Sequence, residues 1–554
     1  MANAISRERA WLCLVALGML TPFVGKAFHI DDPIFLWTAE QIAVNPFDFL
    51  GFDVNWYGYL QPMSEINKNP PLASFYLAGV AAIGGWSEVS LHLGMLIPSL
   101  ALVAGMHLLA LRFTRTGWLA VLVAIATPVF LVSATSLMSD VPMLALWVWT
   151  AVVFLAALDS NKKLHFALAG VLMTCCVLTK YFGLAVVPLL GAYALMREQK
   201  LGTWTISFGI AFVGITAFCL YTQSLYGFNP LLDVMGYVRN PDNTSSNSFL
   251  QRGAIGLLFL GGCNLGTLFF APWLWSWRGH LVGLCGMGIV ICGILYLSGP
   301  MGSSPSLWFQ HMLFAIAGLH LLMLVGTDLF IARDRDSVFL ALWLVGVFVF
   351  AAFANWTTNA RSILPAIPAI GILIARGIER RHAGIPFYAL PALGIALAIT
   401  GVVAIADAQF ADAGRRAARE LSMTRINPGE KLYFQGSWGF QRYMELAGVS
   451  KLSVWDIQLK AGDMVVMAES TNVFPLPEKN SRLLRLHEYQ KSAWVALMSL
   501  ERDAGFYASM WGPLPFSFGR TPPTVYASYR MTRNWSPPRR KDGKPEEQES
   551  GRVN

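Results

Sequence analysis

Residues 71–85 read PLASFYLAGVAAIGG, and whether this block crosses a bilayer decides the layout of the whole chain. It is about fifteen residues long, follows Pro70, and is interrupted by Gly79, Gly84 and Gly85. That is short for a helical crossing of a hydrocarbon core about 30 Å thick. Around it lie longer apolar blocks, at 10–28, 90–111, 117–136, 141–158, 164–179, 182–196, 203–222, 254–275, 280–297, 307–331, 337–355, 362–375 and 386–406. Orientation follows from the rule that cytoplasmic loops collect Lys and Arg. If 71–85 lies along the interface, the loops sharing the side of the N-terminus carry Arg7 and Arg9, Arg112 and Arg115, Lys162 and Lys163, Arg197 and Lys200, Arg278, Arg333 and Arg335, and Arg376, Arg380 and Arg381. The opposite loops keep few cations: Lys68, Lys180, Arg239, Arg252 and Arg361 among them. If 71–85 spanned, every later basic loop would change sides.

The sequence therefore predicts an all-α polytopic membrane domain over residues 1–406 with about thirteen transmembrane helices. Residues 29–89 form a first outer loop with juxtamembrane helices, and the N-terminus is cytoplasmic. An odd number of crossings puts the C-terminus outside. Residues 407–533 read as a small soluble α/β domain, with strands at KLYF (431–434) and DMVVMA (463–468) and a helix at 438–447. From Asn534 the chain is charged and Pro-rich, and disorder is expected over 534–554.

Composition agrees. Of the 554 residues 55% are hydrophobic and 13% charged, about half the charged share of a soluble domain. The net charge of +8 sits in short clusters between apolar blocks, so no nucleic-acid partner is expected. The seven cysteines all lie in apolar blocks and read as small packing residues. Arg7 and Arg9 precede an apolar run without a small-x-small cleavage site, so the first span is expected to be uncleaved.

The polar groups of chemical interest fall on the outer face. His29-Ile30-Asp31-Asp32-Pro33 closes the first span. Asp32 suits the N-cap of a helix over 33–45 that starts on Pro33; a carboxylate fixed there also suits proton abstraction from an attacking hydroxyl. Asp140 stands between the third and fourth spans, Lys68 and Asn69 precede Pro70-Pro71, Lys180 lies between the fifth and sixth spans, and Arg361 precedes the twelfth. A single cation at a span end usually snorkels or anchors. Acids and cations gathered on one face instead suit a phosphate leaving group held by cations, opposite a carboxylate that activates an acceptor hydroxyl. Trp56, Tyr57 and Tyr59 read either as stacking residues or as interfacial belt residues.

These stretches resemble the GT-C superfamily of membrane glycosyltransferases, in the branch of protein O-mannosyltransferases and lipid A aminoarabinose transferases. Asp31-Asp32 resembles the acidic motif opening the first outer loop. NKNPPL (67–72) resembles a basic-residue–Pro–Pro motif, SDVPML (139–144) an Asp-Pro-type motif after the third span, LTKYFGLAVVPL (178–189) a Thr-Lys motif, and NARSILPAIP (359–368) an Arg-x-x-x-Pro element. The resemblance covers about residues 10–375. It implies Asp31 as catalytic base with Asp32 and Asp140 beside it, and a donor-phosphate contact from Lys68, Asn69, Lys180 and Arg361. It implies as partners a polyprenyl-phosphate-linked sugar, membrane lipid and an acceptor that is a glycolipid, a glycan or a protein. Asn69 stands where relatives often carry Lys or His, and Lys68 where metal-binding relatives carry an acid. No cofactor is named by the sequence; for a divalent metal His311 is the candidate ligand.

Competing classes are a transporter or flippase of lipid-linked sugars, a polysaccharide ligase or polymerase, and a scaffold for the outer domain. Transporters often place ionisable residues near the midplane, whereas these spans are nearly free of charge. A ligase is expected to carry Arg or His in a large late outer loop, and residues 223–253 hold only Arg239 and Arg252. A scaffold needs one anchoring span.

Overall fold

The computed structural model describes residues 2–239, 248–297, 304–382, 390–424, 427–453, 458–468 and 473–536. Most of the tail expected to be disordered, from 537 onward, lies outside the described residues.

Over the described residues each expected apolar block coincides mainly with one helix or a broken pair of helices. Seven helices among the described residues are long and apolar enough to cross a membrane: Glu88–Phe113, Asp140–Ser160, Thr205–Tyr226, Pro305–Ala332, Arg335–Ala354, Ala360–Arg381 and Leu390–Ser422. Two bent pairs raise the number to nine. Gly117–Ile125 and Pro128–Ala134 meet at 70°, because Pro128 cannot continue a helix and Thr127 caps the new one by accepting from Phe130 N. Phe249–Cys263 and Leu265–Leu274 meet at 72°, where the Asn264 side chain turns back to the Leu260 carbonyl. The helices Ala2–Leu20, Lys163–Thr179, Val186–Glu198 and Trp277–Leu297 fall on the other blocks.

The deciding block forms the helix Leu72–Gly84. Its 13 residues reach about 20 Å, too short to span. It packs against Asp32–Val44 and Glu88–Phe113. The loops sort by charge as well. Arg112 and Arg197 both bind Asp159, and Arg335 donates to the Arg197 carbonyl, so loops assigned to the side of the N-terminus meet at one end.

The C-terminal region holds a mixed five-stranded sheet, ordered Ser450–Lys451, Leu432–Gln435, Met464–Ala468, Thr524–Met531 and Ser481–Tyr489. The first three strands run parallel and the last two pairings are antiparallel. Trp438–Leu446 makes the crossover between the parallel strands Leu432–Gln435 and Ser450–Lys451. The helix Leu390–Ser422 does not break at residue 406. Its outer turns supply Ala413, Ala417 and Leu421 to the core under the sheet, against Phe434, Phe440 and Tyr526. Residues 495–516 take another course: Val495, Leu497, Phe506, Tyr507 and Phe516 join the core of the membrane helices.

Candidate active site

The first helix ends at Leu20, and the chain then turns through His29 and Ile30 into Asp32–Val44. Ile30 is buried with φ of 47°, a left-handed conformation costly for a β-branched residue. Such strain persists where the surroundings fix the chain, and it often marks a functional site. Here the surroundings include Asp32. The expectation that Asp32 caps the following helix is corrected: Asp32 is the first helical residue, Asp31 takes the cap position, and neither side chain caps. The Asp32 carboxylate instead accepts from His29 N at 2.8 Å and from Leu137 N at 2.9 Å. It thus fastens the turn before Asp32–Val44 to the turn preceding Asp140. Asp32 is fully buried, and that burial raises its pKa to about 7.

Asp31 remains open, its side chain 30% exposed. Arg361 Nη2 donates to Asp31 Oδ2 at 3.0 Å, and Arg361 Nη1 lies 3.9 Å from Asp140 Oδ2. Lys180 Nζ donates to the other Asp140 oxygen at 2.5 Å. Each partner is set by a helix end. Asp140 opens Asp140–Ser160, Lys180 follows the last residue of Lys163–Thr179, and Arg361 sits in the short helix Ala360–Ile363, which Asn359 caps by accepting from Ser362 N. Four of the residues chosen from sequence therefore form one ion cluster, alternating acid and cation.

Lys68 and Asn69 lie beside this cluster, not in it. Lys68 pairs with Asp233 at 2.8 Å and sits 5.7 Å from the Phe228 ring centre. Asn69 N donates to Asn67 Oδ1. Both line a small cavity with Tyr181, the neighbour of Lys180. His311 is occupied elsewhere: Nδ1 donates to the Leu307 carbonyl at 2.8 Å and Nε2 lies 4.0 Å from Asp503. No group of three or more His, Cys, Asp or Glu among the described residues is arranged to hold a metal. The charges point the same way, since Arg361 and Lys180 already neutralise Asp31 and Asp140 and two backbone N–H groups occupy Asp32. These residues do not fit a divalent ion.

Sequence reasoning missed a second polar cluster behind the first. Lys26 and Asp407 pair in the interior, both essentially without exposure. Tyr507 donates to Asp407 Oδ1 at 2.8 Å, and its ring lies 5.8 Å from the Arg361 guanidinium. His29 Nε2 is 3.7 Å from the same Asp407 oxygen. Burial holds His29 down at about 4 and, with Asp407 beside it, pushes the Tyr507 hydroxyl well up, so both are neutral at pH 7. Tyr507 arrives from the C-terminal region on a strip pinned to the Arg361 loop: Ala360 N donates to Phe506 O, and Ser509 N to Thr358 O, each at 2.8 Å. An isolated Lys in the first apolar block and an Asp right after the last one were the available signal, because ionisable residues in spans seldom lack partners.

Comparison with known proteins finds a partial family match. Residues 68–222 match the family model described as dolichyl-phosphate-mannose-protein mannosyltransferase. No curated protein sequence matches the chain. Among solved structures the chain is similar to ArnT from Cupriavidus metallidurans bound to undecaprenyl phosphate, with 14% identity, a TM-score of 0.46, and coverage of 83% of this chain and 92% of that one. It is similar to the oligosaccharyltransferase AglB from Archaeoglobus fulgidus, with 12% identity, a TM-score of 0.47, and coverage of 83% and 69%. The Saccharomyces cerevisiae protein O-mannosyltransferase complex Pmt1-Pmt2 matches over 40% of this chain and 34% of that one, with 16% identity and a TM-score of 0.32. The segment that matches this family model contains Lys68, Asn69, Asp140 and Lys180, four of the residues expected to form the site.

Proposed function

We propose that the chain is an inverting glycosyltransferase that moves a sugar from a polyprenyl-phosphate donor to an acceptor hydroxyl. In this reading it crosses the cytoplasmic membrane about thirteen times. Residues 1–406 form the catalytic domain, residues 407–533 stand outside, and Asp31 faces the periplasm. The observation that carries the reading is the Asp31–Arg361–Asp140–Lys180 cluster, whose accessible carboxylate, Asp31, stands beside Arg361, with Lys180 joined to it through Asp140.

Asp31 takes the proton of the acceptor hydroxyl. The acceptor oxygen attacks the anomeric carbon, the bond from that carbon to the phosphate oxygen breaks, and polyprenyl phosphate leaves with the electron pair. Arg361 and Lys180 stabilise the charge gathering on that phosphate, and Lys68 and Asn69, in the cavity lined by Tyr181, are the further polar groups near the donor. A bound phosphate competes with Asp31 for Arg361, which frees the carboxylate to act as base when donor is present. One displacement inverts the anomeric centre. Asp140 holds both cations, and Asp32 holds the turn.

The test gives the purified full chain a set of polyprenyl-phosphate sugars with lipid, glycan and peptide acceptors. Release of polyprenyl phosphate that depends on acceptor is the expected result. Transport of the intact donor without its cleavage would replace this reading with that of a flippase.

A further inference from the structure

The helix Leu390–Ser422 has two working faces. Asp407 and Phe410 turn inward, Asp407 to Lys26 and Tyr507 and Phe410 to His29, whose ring centre is 4.7 Å away. Ala406, Gln409, Asp412 and Arg416, three to four residues apart and so on one stripe, line a separate cavity of about 510 Å³. Its floor is apolar: Val402 and Ile405 are 48% and 51% exposed on the part of the helix long and apolar enough to cross a membrane. Its roof comes from the C-terminal region, with Lys491 and the 71% exposed Trp494. An indole at this level suits the headgroup zone of a bilayer.

The cavity carries excess positive charge. Asp412 is neutralised by Arg415 at 2.6 Å and by Arg416 at 2.9 Å. Arg416 also donates to the Gln490 carbonyl at 2.7 Å. Lys491 is mostly buried; its Nζ reaches the Met498 carbonyl at 3.3 Å and sits 5.0 Å from the Phe410 ring centre. No carboxylate lies within ion-pair distance of Lys491 among the described residues. Burial lowers its pKa to about 8, with Glu501 acting against that shift from beyond ion-pair distance, so it is charged at neutral pH and has no carboxylate paired to it among the described residues. A half-buried ammonium at the mouth of an apolar groove is costly unless an anion meets it.

We propose that this cavity binds a membrane phospholipid whose headgroup is net anionic, its phosphate on Lys491 and Arg416 and its acyl chain along Val402 and Ile405. Basic pockets beside spanning helices hold such headgroups through this combination of charge and apolar contact. The reacting cluster lies across the helix, so the lipid is a lasting partner that ties the C-terminal region to the last span. The inference does not depend on the transfer reaction.

The test places the full chain in nanodiscs of phosphatidylcholine with about a third phosphatidylglycerol and counts retained lipid by native mass spectrometry. The wild type is expected to retain one phosphatidylglycerol in preference to phosphatidylcholine. Lys491→Glu should weaken that retention about tenfold or more, and Lys491→Arg should keep it. If Lys491→Glu fails to fold, fluorescence of the folded wild type decides. Dibrominated phosphatidylglycerol should quench the signal that separates wild type from Trp494→Phe, and dibrominated phosphatidylcholine should not. Equal retention or equal quenching by the two lipids would overturn the proposal, as would undiminished retention by a folded Lys491→Glu.

Discussion

Two ion clusters lie on either side of the Tyr507 ring, and they are built from the same kinds of residue in opposite ways. Around Arg361 the acids and cations alternate and one carboxylate, Asp31, reaches solvent. Around Asp407 every partner is buried, and Lys26, Tyr507 and His29 converge on one carboxylate. An accessible charge can exchange its partner for a substrate. A closed one cannot, and losing a partner leaves the other charge stranded in a medium that solvates it poorly. In the proposed reaction the first cluster does the chemistry, and the second docks the last span and residues 504–511. Asp31 and Asp32 repeat the contrast within one dipeptide: Asp31 faces out beside Arg361, and Asp32 faces in on two backbone N–H groups.

The contrast breaks first at Asp407. Asp407→Ala should cost about 3–5 kcal/mol of stability, because Lys26 is left buried and unpaired; a thermal unfolding midpoint close to wild type would show that the closed cluster holds nothing. Next is Arg361→Lys. An ammonium cannot span two carboxylates as the guanidinium fork does, so transfer at saturating donor should fall about 10²-fold while the midpoint moves little.

A smaller effect separates the two adjacent acids by pH. Burial raises the folded pKa of Asp32 from 3.8 to about 7, so the folded chain binds this proton more tightly than the unfolded chain. The resulting stability is fully present below 3.8 and is lost as pH rises through about 7. Asp32→Asn should therefore gain stability on wild type between those values, measured as the difference in midpoint in detergent, and a constant difference would contradict the assignment. The smallest effect is expected at Lys68, whose pair with Asp233 is about 30% exposed on both sides. Lys68→Ala should cost less than about 1 kcal/mol of stability. If it lowered transfer as far as Arg361→Lys is expected to, Lys68 and not Arg361 would be the main phosphate contact.

The open cluster was legible in the sequence for a physical reason. Asp31, Asp140, Lys180 and Arg361 each sit at the end of an apolar block, and the charge rule that fixes orientation also fixes the face on which such ends emerge. The short helix Leu72–Gly84 was legible too, since treating it as a span would scatter the basic loops. The closed cluster was not. Lys26 and Asp407 are 381 residues apart, and no periodicity links the first span to the last. Tyr507 comes from a stretch of two-residue strands and turns whose pairing is tertiary. Asp32 misled because a carboxylate before Pro33 has the local pattern of a cap, while its true partner, Leu137 N, lies 105 residues on. The bends at Pro128 and Asn264 divide blocks that hydropathy alone reads as continuous.

In the proposed reaction Asp31 is the proton acceptor of the open cluster. The most direct measurement compares the transfer rate and the unfolding midpoint of Asp31→Asn with those of wild type on matched preparations. The expected result is a rate lowered about 10²–10⁴-fold with the midpoint preserved. A rate near wild type, or a rate lost only together with the fold, would contradict it.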